Sequence, residues 1–399
     1  MKVLLVHPRI FAGGAEKAIV YLAYHLNRLG HEAVVSTLSA DIDDLPPLAR
    51  KVCYLTPEKS SPPREVESVK AAFHSVVGEV TALRGLVKDY LDDYDLLAPC
   101  NFPAYWATYA CRSPMPVVWT SSEVFGPYNA SRDSYDRNRF FRLAVDAAAH
   151  LDKHIVRKSV DAIITCSELN RQLIRERYKM DAAVIPTAVD YEFFSGSCHE
   201  AREELGLGDG YVLLHVGTLV KRKNQVLSIR ALHFLRRRIP GAKLIIVGEG
   251  PWEPILRNEA RDLALDQDVV FVGRVSEEKL KLLYHACDVN LYPVEDQTYG
   301  LVPFEAFAAG KPSLVSEDSG AGLLMAEEGL GILIRPEVNS IVQAVLETQE
   351  DQDGANELVE KGRAYVKANL TWNRYADRTA RLYEDILSSA SINGLRVRS

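Results

Sequence analysis

Apolar residues along the chain fall into two recurring patterns. Short runs that are apolar almost throughout read as parallel strands buried on both faces: KVLLVH, AVVSTL, DLLAP, PVVWT and AIITC, then VLLHVG, KLIIVG, DVVFVG, VNLYPV, PSLVS and GILI. Between them lie longer segments with helical spacing. In AEKAIVYLAYHLNRLG, Ile19, Leu22, Ala23 and Leu26 share one face and Gly30 supplies a stop. The alternation predicts an α/β chain wound β-α repeatedly. It pauses over IPTAVDYEFFSGSCHE, residues 185 to 200, where turn residues replace either period, and resumes with an Arg/Glu-rich helix before YVLLHVG. A domain boundary is predicted there, giving units 1–188 and 189–371. Each is a doubly wound sheet, the two facing across a cleft, with ligands at the carboxyl ends of the strands. SSPPREVE, residues 60 to 67, reads as an exposed loop ahead of a helix.

Composition narrows the class. A length of 399 residues exceeds one ordinary core and suits two, and 47% hydrophobic with 25% charged residues is a globular balance. The net charge of -7 disfavours bulk binding to nucleic acid. Cys53, Cys100, Cys111, Cys166, Cys198 and Cys287 form no Cys-x-x-Cys pair, so a reducing, cytoplasmic setting is expected. Pro8 and Arg9 interrupt the N-terminal apolar run too early for a signal peptide, and no run of 18 apolar residues reads as a membrane span.

Three loops carry candidate chemistry. In HPRIFAGGAEK, Gly13 and Gly14 precede a helix and let backbone N–H groups approach an anion or a sugar; a plain tight turn is the alternative. Neither a Gly-x-Gly-x-x-Gly fingerprint nor a phosphate-loop Gly-Lys-Ser/Thr is present. In YVLLHVGTLVKRKNQ, Gly217, Lys221, Arg222 and Lys223 follow a strand at its carboxyl end, where a diphosphate gives three cations a purpose beyond a solvated face. In QTYGLVPFEAFAAGKP, Pro303 is expected at the first helical position and Glu305 in the first turn. The amides near Gly300, Leu301 and Val302 then face a phosphate, and the Glu305 carboxylate accepts from both hydroxyls of a ribose. Alternatively, Glu305 only complements the helix start.

Other features point to ordinary roles. Arg236, Arg237 and Arg238 close a helix, where cations complement its dipole. His150 and His154 have metal-pair spacing but neither the zincin Glu nor a third ligand, so they read as surface histidines and no metal is expected. No Gly-x-Ser-x-Gly elbow supports a hydrolase triad. Residues 138 to 160, NRFFRLAVDAAAHLDKHIVRKSV, admit two readings. One is an amphipathic helix with Phe141, Val145 and Ala148 against the sheet; the other is a basic and aromatic face that meets anionic lipid at the inner side of a membrane.

Taken together, GGAEK, VGTLVKRKN, LIIVGEGP, VVFVGRVSEEKLKLLYHACDV, YGLVPFEAFAAGKP and LTWNRYADRTARLYEDIL resemble, in order and over nearly the whole chain, the retaining glycosyltransferases of family 4, with the GT-B fold. The resemblance implies an N-terminal acceptor domain, a C-terminal nucleotide-sugar domain, and a terminal helical segment, 372–399, that returns to the first. It implies that Lys223 binds the donor diphosphate, Glu305 the ribose, and Gly273, Arg274 and Val275 the base. A hexose would pass from a nucleoside diphosphate sugar to a hydroxyl of a glycan, lipid-linked saccharide or small glycoside, without metal or other cofactor. Three positions depart from the family pattern: Thr218 replaces an arginine, Gln297 replaces the first glutamate of the E-x7-E pair, and Ser122, beside Glu123, falls where a histidine is usual. Gln297 is then expected to contact the donor sugar without charge, with Glu295 and Asp296 near enough in sequence to supply one. A catalytically weak nucleotide-sugar-binding subunit and a GT-B-type epimerase are the competing expectations.

Overall fold

The structure is a computed structural model; its described residues are all but 12, 44, 58–68, 110, 112–114, 123–138, 199–200 and 393–399. SSPPREVE and Glu123 therefore lie outside the described residues, as do the side chains of Phe141 and Val145. The chain divides into two compact units, Met1–Thr187 with Trp372–Ser399, and Ala188–Thr371.

In the first unit, β1 (Lys2–Val6), β2 (Glu32–Ser36), β3 (Tyr54–Leu55) and β4 (Leu96–Pro99) form a parallel sheet in the order β3-β2-β1-β4. A second parallel sheet comprises β5 (Val118–Ser121), β6 (Ala162–Thr165) and β7 (Ala183–Val184). Single bridges from Leu97 to Val117 and from Cys100 to Thr120 join it to β4. Val3, Leu4, Leu5 and Val6 are buried without interruption, which explains why the first strand is apolar at successive positions.

The second unit holds one six-stranded parallel sheet: β8 (Val212–Val216), β9 (Lys243–Val247), β10 (Val269–Gly273), β11 (Val289–Tyr292), β12 (Ser313–Ser316) and β13 (Ile332–Ile334). Its order, β10-β9-β8-β11-β12-β13, reverses between β8 and β11. The first unit reverses likewise between β1 and β4. Such a reversal opens a crevice at the carboxyl ends of the two strands, because their connections leave in opposite directions.

Every apolar run named above forms a strand. The two-residue strands β3 and β7 were not expected, since two residues carry no period. The segment 185 to 200 is not wholly irregular: Tyr191–Ser195 is helical, and the Asp190 side chain accepts from Phe193 N at 3.2 Å to cap it. The segment after the second unit forms the helix Trp372–Ile392, which packs in the first unit on the helix Gly14–Arg28. The rings of Trp372 and Tyr21 stack at 4.4 Å, and His25 Nδ1 lies 2.8 Å from Asn373 Oδ1.

A buried polar knot braces the first unit. Asp152, without solvent exposure, accepts from Tyr105 Oη (2.6 Å), Trp106 Nε1 (2.8 Å), Tyr178 Oη (2.7 Å) and Arg177 Nη2 (3.0 Å). Four donors on two oxygens satisfy a carboxylate that burial alone would make very unfavourable.

Candidate functional site

In the second unit, loops gather where β8 and β11 part. The loop after β8 runs through Gly217, at φ +156°, into a single 3-10 turn, Lys221–Lys223, and then the helix Gln225–Leu235. Side-chain and backbone bonds tie it to the loop after β11: Glu295 N donates to Arg222 O at 2.9 Å and Asn224 Nδ2 to Pro293 O at 3.0 Å. Gly248, at φ +127°, lets the loop after β9 approach so closely that a Cβ there would strike the Gly217 carbonyl.

Gln297 sits at the centre of this arrangement. Its Oε1 accepts from Arg222 Nη1 at 2.6 Å and from Lys223 Nζ at 2.7 Å. The Lys223 ammonium also lies 5.4 Å from the centre of the Tyr292 ring, within cation–π range. Gly300, at φ +158°, leaves room for the Tyr292 hydroxyl, onto which a Cβ would fall. The amide oxygen of Gln297 is thus turned toward the two cations.

Glu305 stands in the first turn of the helix Val302–Ala308. Val302 opens that helix and Pro303 follows it, a shift of one position from expectation; Leu301, at its N-cap, makes no side-chain capping bond. Glu305 Oε2 accepts from Tyr284 Oη at 2.8 Å. Tyr284 is fully buried, and burial together with the adjacent carboxylate raises its pKa well above the usual phenol value. Gly273, at φ +69°, brings the next backbone to Glu249: Arg274 N donates to Glu249 Oε1 at 3.4 Å. Arg274 is exposed, Val275 half-buried and Thr218 exposed.

The first unit has its own hollow at the reversal between β1 and β4, about 300 Å³ in volume and lined by His7, Arg9, Phe11, Glu16, Glu79 and Asn101, among others. Arg9 pairs with Glu79, Nε and Nη2 each lying 3.1 Å from Oε1. His7 Nδ1 lies 2.8 Å from the Arg9 carbonyl oxygen. A carbonyl only accepts, so Nδ1 carries the proton and Nε2 faces Glu16 Oε1 at 3.9 Å as a bare nitrogen. Burial lowers the His7 pKa to about 4 and raises that of Glu16. A Cβ on Gly13 would meet the tip of the Glu16 side chain, which would have to swing aside, whereas nothing lies within 4 Å of a Cβ placed on Gly14. Ser122 donates its backbone N–H to Asn101 Oδ1 at 2.9 Å.

Two family models match the chain in sequence: Glycosyltransferase Family 4 over residues 12–193 and Glycosyl transferases group 1 over residues 199–365. The chain carries a family 4 glycosyltransferase domain followed by a group 1 glycosyl transferase domain. A GDP-mannose-dependent alpha-(1-6)-phosphatidylinositol monomannoside mannosyltransferase of Mycolicibacterium smegmatis is 30% identical over 235 residues, 56% of this chain and 62% of the relative. The match thus spans less than two thirds of that relative's length. Sucrose-phosphate synthase of Thermosynechococcus elongatus superposes with a TM-score of 0.79 at 22% identity, covering 98% of this chain and all of that one. HepE of Anabaena, in complex with UDP-glucose, superposes with a TM-score of 0.77 at 18% identity, covering 98% and 100%. The fold is therefore GT-B, built from two Rossmann-like units.

The sequence motifs locate these loops but not their supports. No motif or period marks Tyr284, Tyr292, Glu249 or the His7–Glu16 pair. The only signal for Tyr284 was its place in LKLLYHACDV, and nothing there links it to a carboxylate 21 residues on. Among the described residues no group of three or more histidine, cysteine or acidic side chains is arranged to hold a metal, and no helix is long and apolar enough to cross a membrane.

Proposed function

We propose that the protein transfers a hexose from a nucleoside diphosphate sugar to a hydroxyl acceptor with retention of configuration. The observation that carries this reading is the convergence of Arg222 and Lys223 on one atom at the β8/β11 reversal. Two cations at the carboxyl end of a doubly wound sheet suit a diphosphate. Charge grows on that group as the sugar–phosphate bond breaks, so a fixed ammonium and guanidinium lower the barrier more than they tighten binding. In this proposal the cations do that work and no metal is invoked. Glu305, its carboxylate set by Tyr284, accepts from the ribose hydroxyls, and Gly273, Arg274 and Val275 border the base.

The acceptor is assigned to the hollow of the first unit. Phe11 offers an exposed ring for a sugar face, and Glu16, Glu79 and Asn101 offer acceptors for hydroxyls. Acceptor delivery on anionic lipid through residues 138–160 belongs to the same proposal, and salt-sensitive co-sedimentation with anionic vesicles supports it.

The first experiment is a thermal-shift panel of uridine, guanosine and adenosine diphosphates, since specific binding stabilises the native state. The preferred base is then offered as its glucose and mannose conjugates with simple glycosides, and the product anomer is read by NMR. Donor binding with neither transfer nor hydrolysis would favour the second reading, a nucleotide-sugar-binding subunit, for which the uncharged Gln297 is the specific observation.

A further inference from the structure

The resemblance described above places Gln297 where the family pattern has a glutamate, and here its neutral amide meets two cations. Arginine and lysine side chains are donors with no acceptor, so the amide can meet them only through Oε1; its NH2 group must point away. One oxygen at hydrogen-bond distance from both draws two like charges together. The residue is itself fixed from the start of the helix Gly320–Glu328, since its carbonyl O accepts from Gly320 N at 2.9 Å. Gly320 is needed for that approach, because a Cβ on it would fall on the Thr298 carbonyl.

We propose that Gln297 is a positioning residue, holding the Arg222 guanidinium and the Lys223 ammonium as one clamp for the diphosphate of the donor. A glutamate in the same place would hold both groups more strongly, but it would add a negative charge against each of them. The amide keeps the geometry and leaves the combined positive field undiminished. Its service is to the phosphates rather than to the sugar. The proposal rests on the nucleotide-sugar reading above, and the test separates the two.

Binding of a nucleoside and of its diphosphate is measured by calorimetry for the wild type, Gln297→Glu and Gln297→Ala, using whichever base the panel selects. Gln297→Glu is isosteric and should weaken diphosphate binding by about tenfold while leaving the plain nucleoside unchanged. Gln297→Ala should lose diphosphate affinity in the same selective way, because the two cations separate. Ligand-free melting temperatures check that both variants fold; if the alanine variant is destabilised, the isosteric variant decides. Diphosphate affinity unchanged in Gln297→Glu overturns the proposal, as does an equal loss for nucleoside and diphosphate. A severalfold gain in turnover in Gln297→Glu also overturns it, since the position would then require a carboxylate. If the wild type binds no nucleoside diphosphate at all, the donor reading itself fails and the clamp with it.

Discussion

Tyr284 donates its hydroxyl to Glu305 Oε2 at 2.8 Å from a position with no solvent exposure. The raised pKa keeps the phenol protonated, so it remains a donor throughout the neutral range. A bond to one oxygen fixes the plane of the carboxylate and the directions from which a diol can approach. Tyr284→Phe should therefore lower affinity for a ribonucleoside diphosphate by about tenfold, in the range of a hydrogen bond to a charged group. A 2′,3′-dideoxy analogue should bind wild type and variant alike. Equal losses on both ligands would mean that Tyr284 only fills space.

Lys223 should separate turnover from binding. Lys223→Ala is expected to cut the turnover number about 100-fold or more, as for loss of a preorganised charge donor, with a smaller change in affinity for the free nucleoside diphosphate. Steady-state kinetics with the identified donor checks this; an unchanged turnover number would defeat the transfer mechanism proposed here.

How far the sequence disclosed these groups depends on the range of the interaction. Strands such as β1 and β8 announce themselves because burial on both faces forces apolar residues at successive positions. Lys223 stands out as a candidate because its loop lies at the carboxyl end of a recognisable strand, and Glu305 because its motif resembles that of a known family. β3 and β7 were missed, being too short for a pattern and held by sheet pairing alone. The identity of Gln297 shows that the position carries no charge, but its contacts arise between loops about 75 positions apart and are not legible in sequence. The hollow at His7 and Glu16 depends on how a strand end meets a helix start, which no periodicity encodes.

Asp152 is expected to be the costliest single loss in the first unit. Asp152→Ala would strand Tyr105, Trp106, Arg177 and Tyr178, each a donor, around a cavity. The expected penalty is about 3 to 5 kcal/mol. Urea unfolding followed by tryptophan fluorescence reads it as a lower midpoint, and a shift below about 1 kcal/mol would contradict the bracing role.

Acid should weaken the fold before it titrates most carboxylates. His7 and His215 are buried, and burial lowers their pKa values to about 4 and about 3, with the Lys223 charge adding to the effect at His215. Below the unfolded value of 6.5 the unfolded chain binds protons that the native chain refuses, so stability falls as pH drops from 6.5 toward 3. Each histidine contributes up to about 1.4 kcal/mol per pH unit in that window. Glu16 has the opposite sign: burial raises its pKa, so its contribution is lost as pH rises. Melting temperatures at pH 7 and pH 5 should fall less in His215→Asn than in the wild type; equal falls would rule His215 out as a source.

The return of the helix Trp372–Ile392 to the first unit has a consequence for biosynthesis. Val189 N donates to Leu370 O at 2.9 Å, so the chain enters and leaves the second unit at neighbouring points. A ribosome therefore releases all of Ala188–Thr371 before it releases the helix that covers Tyr21 and His25. The unit begun second is completed first, and the helix Gly14–Arg28 waits with its docking face bare until the helix Trp372–Ile392 emerges. In translation, the nascent first unit is the vulnerable one, and a chaperone that holds apolar surface would engage it there.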